Sequence, residues 1–203
     1  MKTIFIPVKI KQKINKEKLL SSNLPINIAI AYSIQNKETA EQVKDTLSKK
    51  HKITGLFQVL GCSKPLVSKE TQAILLISSG KFHAVSLAAE TGIPIYIWDF
   101  DELKKVSREE VDILNKRKIA SYSKFLHAEK SGIIVSTKPG QENLQKAISF
   151  KKSTKKKTYL FISNNVNIKE FENFGLDSWI NTACPRLDFD SSIINLKDIP
   201  NNN

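Results

Sequence analysis

AILLISSGKFHAVSLAAETGIPIYIWDF, from Ala73 to Phe100, is the stretch that decides the fold class. Two continuous apolar runs, Ala73–Ser79 and Ile93–Phe100, flank the segment Phe82–Gly92, whose final glycine suits the position after a helix C-terminus. Hydrophobicity that is continuous rather than alternating is typical of strands buried on both faces, as in parallel sheets covered by helices. The stretch therefore predicts a strand–helix–strand unit of an α/β protein.

The same alternation of apolar runs and amphipathic segments continues on both sides of this stretch. Further strands are predicted at Thr3–Val8, Asn27–Ser33, Gly132–Pro139, Thr158–Ser163 and Ser178–Ala183. Further helices are predicted at Lys37–Lys50, Ser107–Lys130, Gly140–Phe150 and Ile168–Gly175. With right-handed crossovers, this order predicts an α/β fold made of two small doubly wound domains with mostly parallel sheets.

The longest predicted helix is expected to bridge the two domains. It begins with Ser107, a good N-cap residue, followed by Glu109 and Glu110 in the first turn, where acidic side chains are favourable. Placing the boundary within this helix, near Ala128 to Ser131, gives domains of residues 1–128 and 129–203.

Composition limits the class of protein and its surroundings. A chain of 203 residues with 40% hydrophobic and 8% aromatic residues can form a packed core. The opening apolar run is too short for a signal peptide or a membrane span. With only 2 cysteines, we expect a cytoplasmic protein without membrane association, whose cysteines are thiols or metal ligands rather than a disulfide. The net charge of +12 fits either a solvated lysine surface or a basic face for polyanions and acidic partners.

Four short segments follow predicted strands or, for the first, the apolar run ITGLF, and such positions are where open α/β sheets collect ligands. They are Gln58–Ser63 with Cys62, Ser78–His83, Val135–Gln141, and Asn181–Asp190 with Cys184. Singly, each has a plain structural explanation, such as a turn glycine or a cysteine that packs as a small hydrophobe. No dinucleotide fingerprint, Walker A motif or zinc-site spacing occurs. If both cysteines approached one iron–sulfur cluster, two thiolates would be too few for it. The residues alone therefore indicate an incomplete soft-metal site that another chain could share.

Longer motifs carry a resemblance to a known family. QVLGC, ILLISSGKFHAVSLAAETGIPI, SGIIVSTKPGQ and FGLDSWINTACPRLDFD resemble the second and third domains of the diphthamide synthase radical subunit, the archaeal 2-(3-amino-3-carboxypropyl)histidine synthase family. The resemblance spans essentially the whole chain. It implies three similar α/β domains, each donating one cysteine to a central 4Fe–4S cluster, with Cys62 and Cys184 as the second and third ligands.

The resemblance also implies an activity. The open iron of such a cluster binds S-adenosylmethionine, from which the family releases a 3-amino-3-carboxypropyl radical. That radical adds to a histidine ring of translation elongation factor 2, the first step of diphthamide formation. Arg186 offers the cofactor's carboxylate a bidentate partner. We expect the amino-acid moiety or the ribose to be held by Ser136, Lys138 and Gln141, and by Ser79 and Gly80.

One departure from the family is large, because its first domain and first cluster cysteine have no counterpart in this sequence. Three explanations remain open: a split gene, a noncatalytic or electron-relay subunit, and a decayed fragment. The split gene is favoured because both ligand cysteines and the cofactor-loop motifs are retained. It predicts an oligomer in which a first-domain polypeptide acts in trans. An alternative of another class is a basic α/β module that binds nucleic acid or a nucleotide.

Overall fold

The computed structural model describes residues 4, 6, 8–10, 13–60, 65–78, 80–99, 101–188 and 193–200. The chain divides into two compact units, Met1–Asp112 and Ile113–Asn203. Each unit has its own sheet. No helix among the described residues has the length and apolar character needed to cross a membrane.

The first unit contains a five-stranded sheet in the order β2-β1-β3-β4-β5, in which only β5 is antiparallel to its neighbour. Its strands are β1 Asn27–Tyr32, β2 Lys52–Gln58, β3 Ala73–Ile77, β4 Ile95–Asp99 and β5 Glu102–Lys105. Its helices are α1 Lys16–Leu20, α2 Lys37–Leu47, α3 Lys81–Thr91 and the start of α4 Arg108–His127, with a short 3-10 helix at Ile34–Asn36.

The second unit contains a four-stranded, fully parallel sheet in the order β7-β6-β8-β9. Its strands are β6 Lys130–Ser136, β7 Lys157–Ser163, β8 Ser178–Asn181 and β9 Ile194–Asn195. It also contains helix α5 Leu144–Ser153 and 3-10 helices at Ile168–Phe174, Pro185–Asp188 and Leu196–Asp198.

Both sheets are covered on both faces, which explains the continuous apolar runs. In β1, Ile28 and Ile30 enter the core under α1 and α2, while Ala29 and Ala31 enter the core on the face of α3. In β6, Ile133 and Val135 face α5, whereas Ile134 packs on the opposite side. Alternate side chains thus leave a strand in opposite directions and are buried either way. The predicted fold class, two doubly wound and mostly parallel-sheet α/β units, is confirmed.

Some predicted elements are wrong. Within the predicted strand Thr3–Val8, the described residues Ile4, Ile6 and Val8 form no strand and are exposed. The predicted helix Ile168–Gly175 is a 3-10 helix. The elements α1, β5 and β9, which are five residues or shorter, were not predicted from the sequence. Elements this short carry too few periodic positions to reveal themselves.

The long helix α4 belongs to both units. Val111 packs against the first unit's core, and Phe125 is buried in the second unit's core. The compact units therefore divide inside α4, after Asp112, whereas the sequence places the boundary later within the same predicted helix, after residue 128. The assignment of residues 1–128 and 129–203 to two family domains stays a prediction.

Candidate functional site

A cavity of about 300 Å³ lies at the carboxyl ends of three strands of the second sheet. It is lined by Ser136 at the end of β6, by Asn164 just after β7, and by Cys184 in the loop after β8. The chain winds outward from β6 in both directions, to β7 on one side and to β8 on the other. The cavity therefore lies where the strand order reverses, the position at which open α/β sheets bind ligands.

Five residues that the sequence singled out line this one cavity. They are Ser136, Lys138, Gln141, Cys184 and Arg186. Sequence reasoning missed four others, which are Asn164, Val166, Ala183 and Leu187. A usable signal existed for Asn164, because it follows a predicted strand by one residue.

The loop between β6 and α5 is a tight turn. Ser136 is 1% exposed, and its Oγ accepts a hydrogen bond from the Lys138 N–H at 3.1 Å. The Gln141 N–H donates to the Lys138 carbonyl at 3.0 Å, and Gly140 takes the left-handed φ of 78° that favours glycine. The turn places Lys138 and Gln141 at the cavity, and the Ser136 hydroxyl has a structural part in it.

The loop that carries Cys184 is also held firmly. The Thr182 hydroxyl donates to the Ile134 carbonyl at 2.7 Å, and Asn143 Nδ2 donates to the Thr182 carbonyl at 2.8 Å. The Leu187 N–H donates to the Cys184 carbonyl at 3.1 Å, which begins the 3-10 helix Pro185–Asp188. The Cys184 thiol is free of any disulfide and half-buried beside the cavity.

The charge of the cavity suits an anionic group. Lys138 and Arg186 are exposed cations on its wall. None of the described lining residues is acidic. A carboxylate that enters here would meet an ammonium and a guanidinium, and the guanidinium can bind both carboxylate oxygens at once.

The donor set fits one ligand of a metal cluster. A half-buried thiol is the soft ligand that iron–sulfur clusters require. Within the described part of the chain, no group of three or more His, Cys, Asp or Glu side chains could hold a metal ion. The Cys184 thiol is thus a candidate for one iron ligand.

The remaining predicted site residues belong to the first unit or lie outside the described residues. Gly80 is the N-cap of α3 and lines a separate cavity of about 260 Å³. Lys81 and Glu110 line the same cavity and form an ion pair with an N–O distance of 2.9 Å. Cys62 and Ser79 lie outside the described residues, so their predicted roles stay predictions.

Comparisons with known proteins agree with the motifs. The sequence model of the diphthamide synthesis protein family matches residues 1–194. The chain is 28% identical over 205 residues to the 2-(3-amino-3-carboxypropyl)histidine synthase of Pyrococcus horikoshii, covering 93% of this chain and 60% of that protein. It is 30% identical over 143 residues to subunit 1 of the mouse synthase, covering 66% and 32%. The chain thus spans about 60% of the length of the archaeal relative.

Solved structures show the same fold. The crystal structure of Dph2 from Pyrococcus horikoshii matches with a TM-score of 0.77 and 24% identity, covering 92% of this chain and 61% of that one. The crystal structure of Dph2 from Pyrococcus horikoshii with a 4Fe-4S cluster matches with a TM-score of 0.73 and 25% identity, covering 86% and 56%.

Proposed function

Because this chain belongs to the diphthamide synthesis protein family, we propose that it is part of a transferase that uses an iron–sulfur cluster and S-adenosylmethionine. The proposed reaction moves the 3-amino-3-carboxypropyl group from S-adenosylmethionine to a histidine ring of translation elongation factor 2, as the first step of diphthamide formation. The observation that carries the proposal is the single cavity lined by Cys184 together with Ser136, Lys138, Gln141 and Arg186.

We assign the cysteines to the metal. Cys184 would bind iron through its half-buried thiol, and Cys62 is proposed as a second ligand. When bound, such a cluster supplies a reducing electron and an open iron position for a ligand. The bonds that hold Thr182 and Leu187 in the Cys184 loop would keep the thiol in place before the metal arrives.

We assign the cations of the cavity to the amino-acid end of S-adenosylmethionine. Arg186 would bind the carboxylate through two parallel N–H donors, and Lys138 would add a point charge from the β6–α5 turn. The Gln141 side chain, with one acceptor and two donors, suits either the α-amino group or a ribose hydroxyl. In the first unit, Gly80 and Ser79 are proposed to bind the amino-acid moiety or the ribose of S-adenosylmethionine.

The remaining cluster ligand is proposed to come from a separate polypeptide. The sequence contains 2 cysteines, which is one thiolate fewer than a three-cysteine cluster with an open iron requires. We therefore propose that a polypeptide carrying a first domain supplies the missing thiolate in trans, and that the working enzyme is an oligomer.

Anaerobic reconstitution with iron and sulfide tests the cluster. Together with a first-domain polypeptide that supplies the third thiolate, the chain is expected to gain the broad visible absorbance of sulfur-to-iron charge transfer, and Cys184→Ala and Cys62→Ala are each expected to lose most of it. Equilibrium dialysis with labelled S-adenosylmethionine then tests retention of the cofactor.

The outcomes separate the competing functions. A wild-type chain that stays colourless even with that polypeptide, but retards RNA in a gel, contradicts the transferase and supports a basic nucleic-acid-binding module. A coloured chain that retains no S-adenosylmethionine contradicts a cofactor-binding role and supports an electron-relay subunit.

A further inference from the structure

We propose that Asn181 is the positioning residue for Cys184, and that its side-chain amide fixes the loop that presents the thiol. Asn181 is the last residue of β8 and is 2% exposed. That this positioning holds the Cys184 thiol ready to bind iron rests on the function proposed above. The hydrogen bonds themselves are independent of that function.

The Asn181 amide bonds to two consecutive residues of the loop. Its Oδ1 accepts a hydrogen bond from the Ala183 N–H at 2.8 Å. Its Nδ2 donates to the Cys184 carbonyl at 2.9 Å. Because β8 ends at Asn181, this side chain replaces the strand partner that these backbone groups would have inside a sheet.

A second contact fixes the orientation of the amide. Asn181 Nδ2 also donates to Asn195 Oδ1 at 2.6 Å, and Asn195 lies on β9 and is 3% exposed. If the Asn181 amide were flipped, its nitrogen would face the Ala183 N–H and its oxygen would face two other oxygens. The network therefore permits one orientation.

Few side chains can replace this amide. The site needs one acceptor and two donors in a short planar group. Aspartate keeps the acceptor and loses both donors, while alanine loses all three and removes the bonds to the half-buried Ala183 N–H and to Asn195 Oδ1. The direction in which the Cys184 backbone leaves β8 thus depends on an asparagine at position 181.

The first test uses metal-free protein. In a Cys62→Ala background Cys184 is the sole thiol, because the sequence has 2 cysteines. The rate of hydrogen exchange at the Ala183 amide, measured by NMR, reports the hydrogen bond from this amide to Asn181 Oδ1. The rate of alkylation by iodoacetamide reports how firmly the Cys184 thiol is held. Asn181→Ala is expected to speed Ala183 exchange roughly tenfold, which corresponds to about 1.4 kcal/mol. Asn181→Asp is expected to keep the Ala183 amide protected from hydrogen exchange, while the alkylation rate of Cys184 still changes.

Ser131→Ala is the matched control. Ser131 and Ser178 share a buried hydroxyl–hydroxyl hydrogen bond of 2.7 Å between β6 and β8, the strand that also ends in Asn181. This variant is expected to lower stability without changing Ala183 exchange or thiol alkylation. Rates are compared under conditions where circular dichroism gives equal folded fractions. If Asn181→Ala does not fold, Asn181→Asp tests the proposal by itself. It should leave Ala183 exchange unchanged and alter the alkylation of Cys184.

The second test follows iron in the otherwise wild-type chain after anaerobic reconstitution together with a first-domain polypeptide that supplies the third thiolate. Asn181→Ala is expected to bind severalfold less iron than Ser131→Ala. Exchange and alkylation rates equal to those of the control would overturn the positioning role. Altered rates in the metal-free protein, together with a wild-type chain that binds no iron even with that polypeptide, would retain the positioning role and overturn the iron–sulfur function.

Discussion

Gly132, in the second sheet, leaves no room for a side chain. It pairs with Trp179 across β6 and β8, and a Cβ added to Gly132 would overlap the indole ring. The ring also stacks on Phe171, with centroids 4.2 Å apart and planes 19° apart. The missing side chain therefore lets the indole lie across the neighbouring strand and bury itself under the 3-10 segment.

Gly132→Ala is expected to destabilise the second unit by about 1–3 kcal/mol, because the indole has to move within a packed core. The measurement is urea unfolding followed by tryptophan fluorescence in a Trp98→Phe background, where Trp179 is the only tryptophan. Gly55→Ala is the control and is followed through Trp98, since its new Cβ would meet only ordinary contacts at 3.9 Å. Equal changes in the two variants would contradict the steric explanation.

Arg186→Lys is expected to weaken S-adenosylmethionine binding about tenfold if the guanidinium makes two bonds to the carboxylate, because lysine keeps the charge and loses the fork. Isothermal titration measures the affinity, and 5′-methylthioadenosine, which lacks the amino-acid end, should bind both proteins equally. Lys146→Ala is the matched control, since Lys146 lines a neighbouring cavity. A loss as large in this control would point to general electrostatics.

The residues of the site were predictable to different degrees. Residue type and position after a strand identified Cys184, Lys138 and Arg186 as candidates, because chemistry at strand ends is local information. No role was predicted for Asn181, because its hydrogen bonds to Ala183 and Cys184 depend on how the chain turns after β8. A sequence does not reveal which asparagine completes a turn.

At the scale of elements, α4 begins with a capping box. The Glu110 N–H donates to Ser107 Oγ at 3.1 Å, and the Ser107 N–H donates to Glu110 Oε2 at 3.0 Å. This confirms the predicted N-cap. The backbone N–H of Ser107, and next the Lys81 ammonium, hold the pKa of the Glu110 carboxyl below its usual 4.5. The carboxylate form is the one that caps the helix.

Because the folded-state pKa of Glu110 is depressed, its contribution to stability is present above the unfolded value near 4.5 and is lost as pH falls through the lower folded value. Glu110→Gln keeps a capping side chain but removes the titration. Its free energy of unfolding should therefore change less than that of the wild type between pH 6 and pH 3, both values lying about 1.5 units to either side of the ordinary carboxyl pKa.

Chemical denaturation at several pH values measures this difference. Glu109→Gln removes an equal charge from the same helix turn and serves as the control for general charge effects. A wild type and a Glu110→Gln variant with parallel pH profiles would contradict the role of the carboxylate.

Elements were predictable where their pattern was long. The strand Ala73–Ile77 is a continuous apolar run, and the helix Arg108–His127 is preceded by a capping residue. Both signals are local in the sequence and can be recognised without the fold. Strand β5 was not predicted because Leu103 is its only apolar residue. It lies at the edge of the sheet and pairs with β4 in the antiparallel direction. The segment with Ile4 and Ile6 has the composition of a strand but no partner strand among the described residues. Strand formation requires such a partner, which composition does not supply.

At the scale of the whole molecule, the expected number of iron ligands exceeds what the sequence contains. Expressed alone, the chain should hold iron well below four atoms per chain, the content of the 4Fe–4S cluster that we propose. Co-expression with the part of the Pyrococcus horikoshii synthase that the alignment leaves uncovered should raise the iron content severalfold. Iron analysis of the purified proteins measures this change.

The control is the same partner with its cysteines changed to alanine. A chain that alone holds a full cluster and cleaves S-adenosylmethionine would contradict ligand donation in trans. An increase that survives loss of the partner's cysteines would mean that the partner stabilises the fold without binding the metal.

The two sheets have the same winding, with the first strand flanked by the second and the third, and the fourth beyond the third. Superposing the units by this order pairs the loop of Cys184, after β8, with the segment after β3 that contains Gly80. In the chain, Cys62 instead follows β2. If the halves descend from a tandem duplication, the two cysteines follow different strands of the ancestral unit, and one ancestral cysteine does not account for both positions.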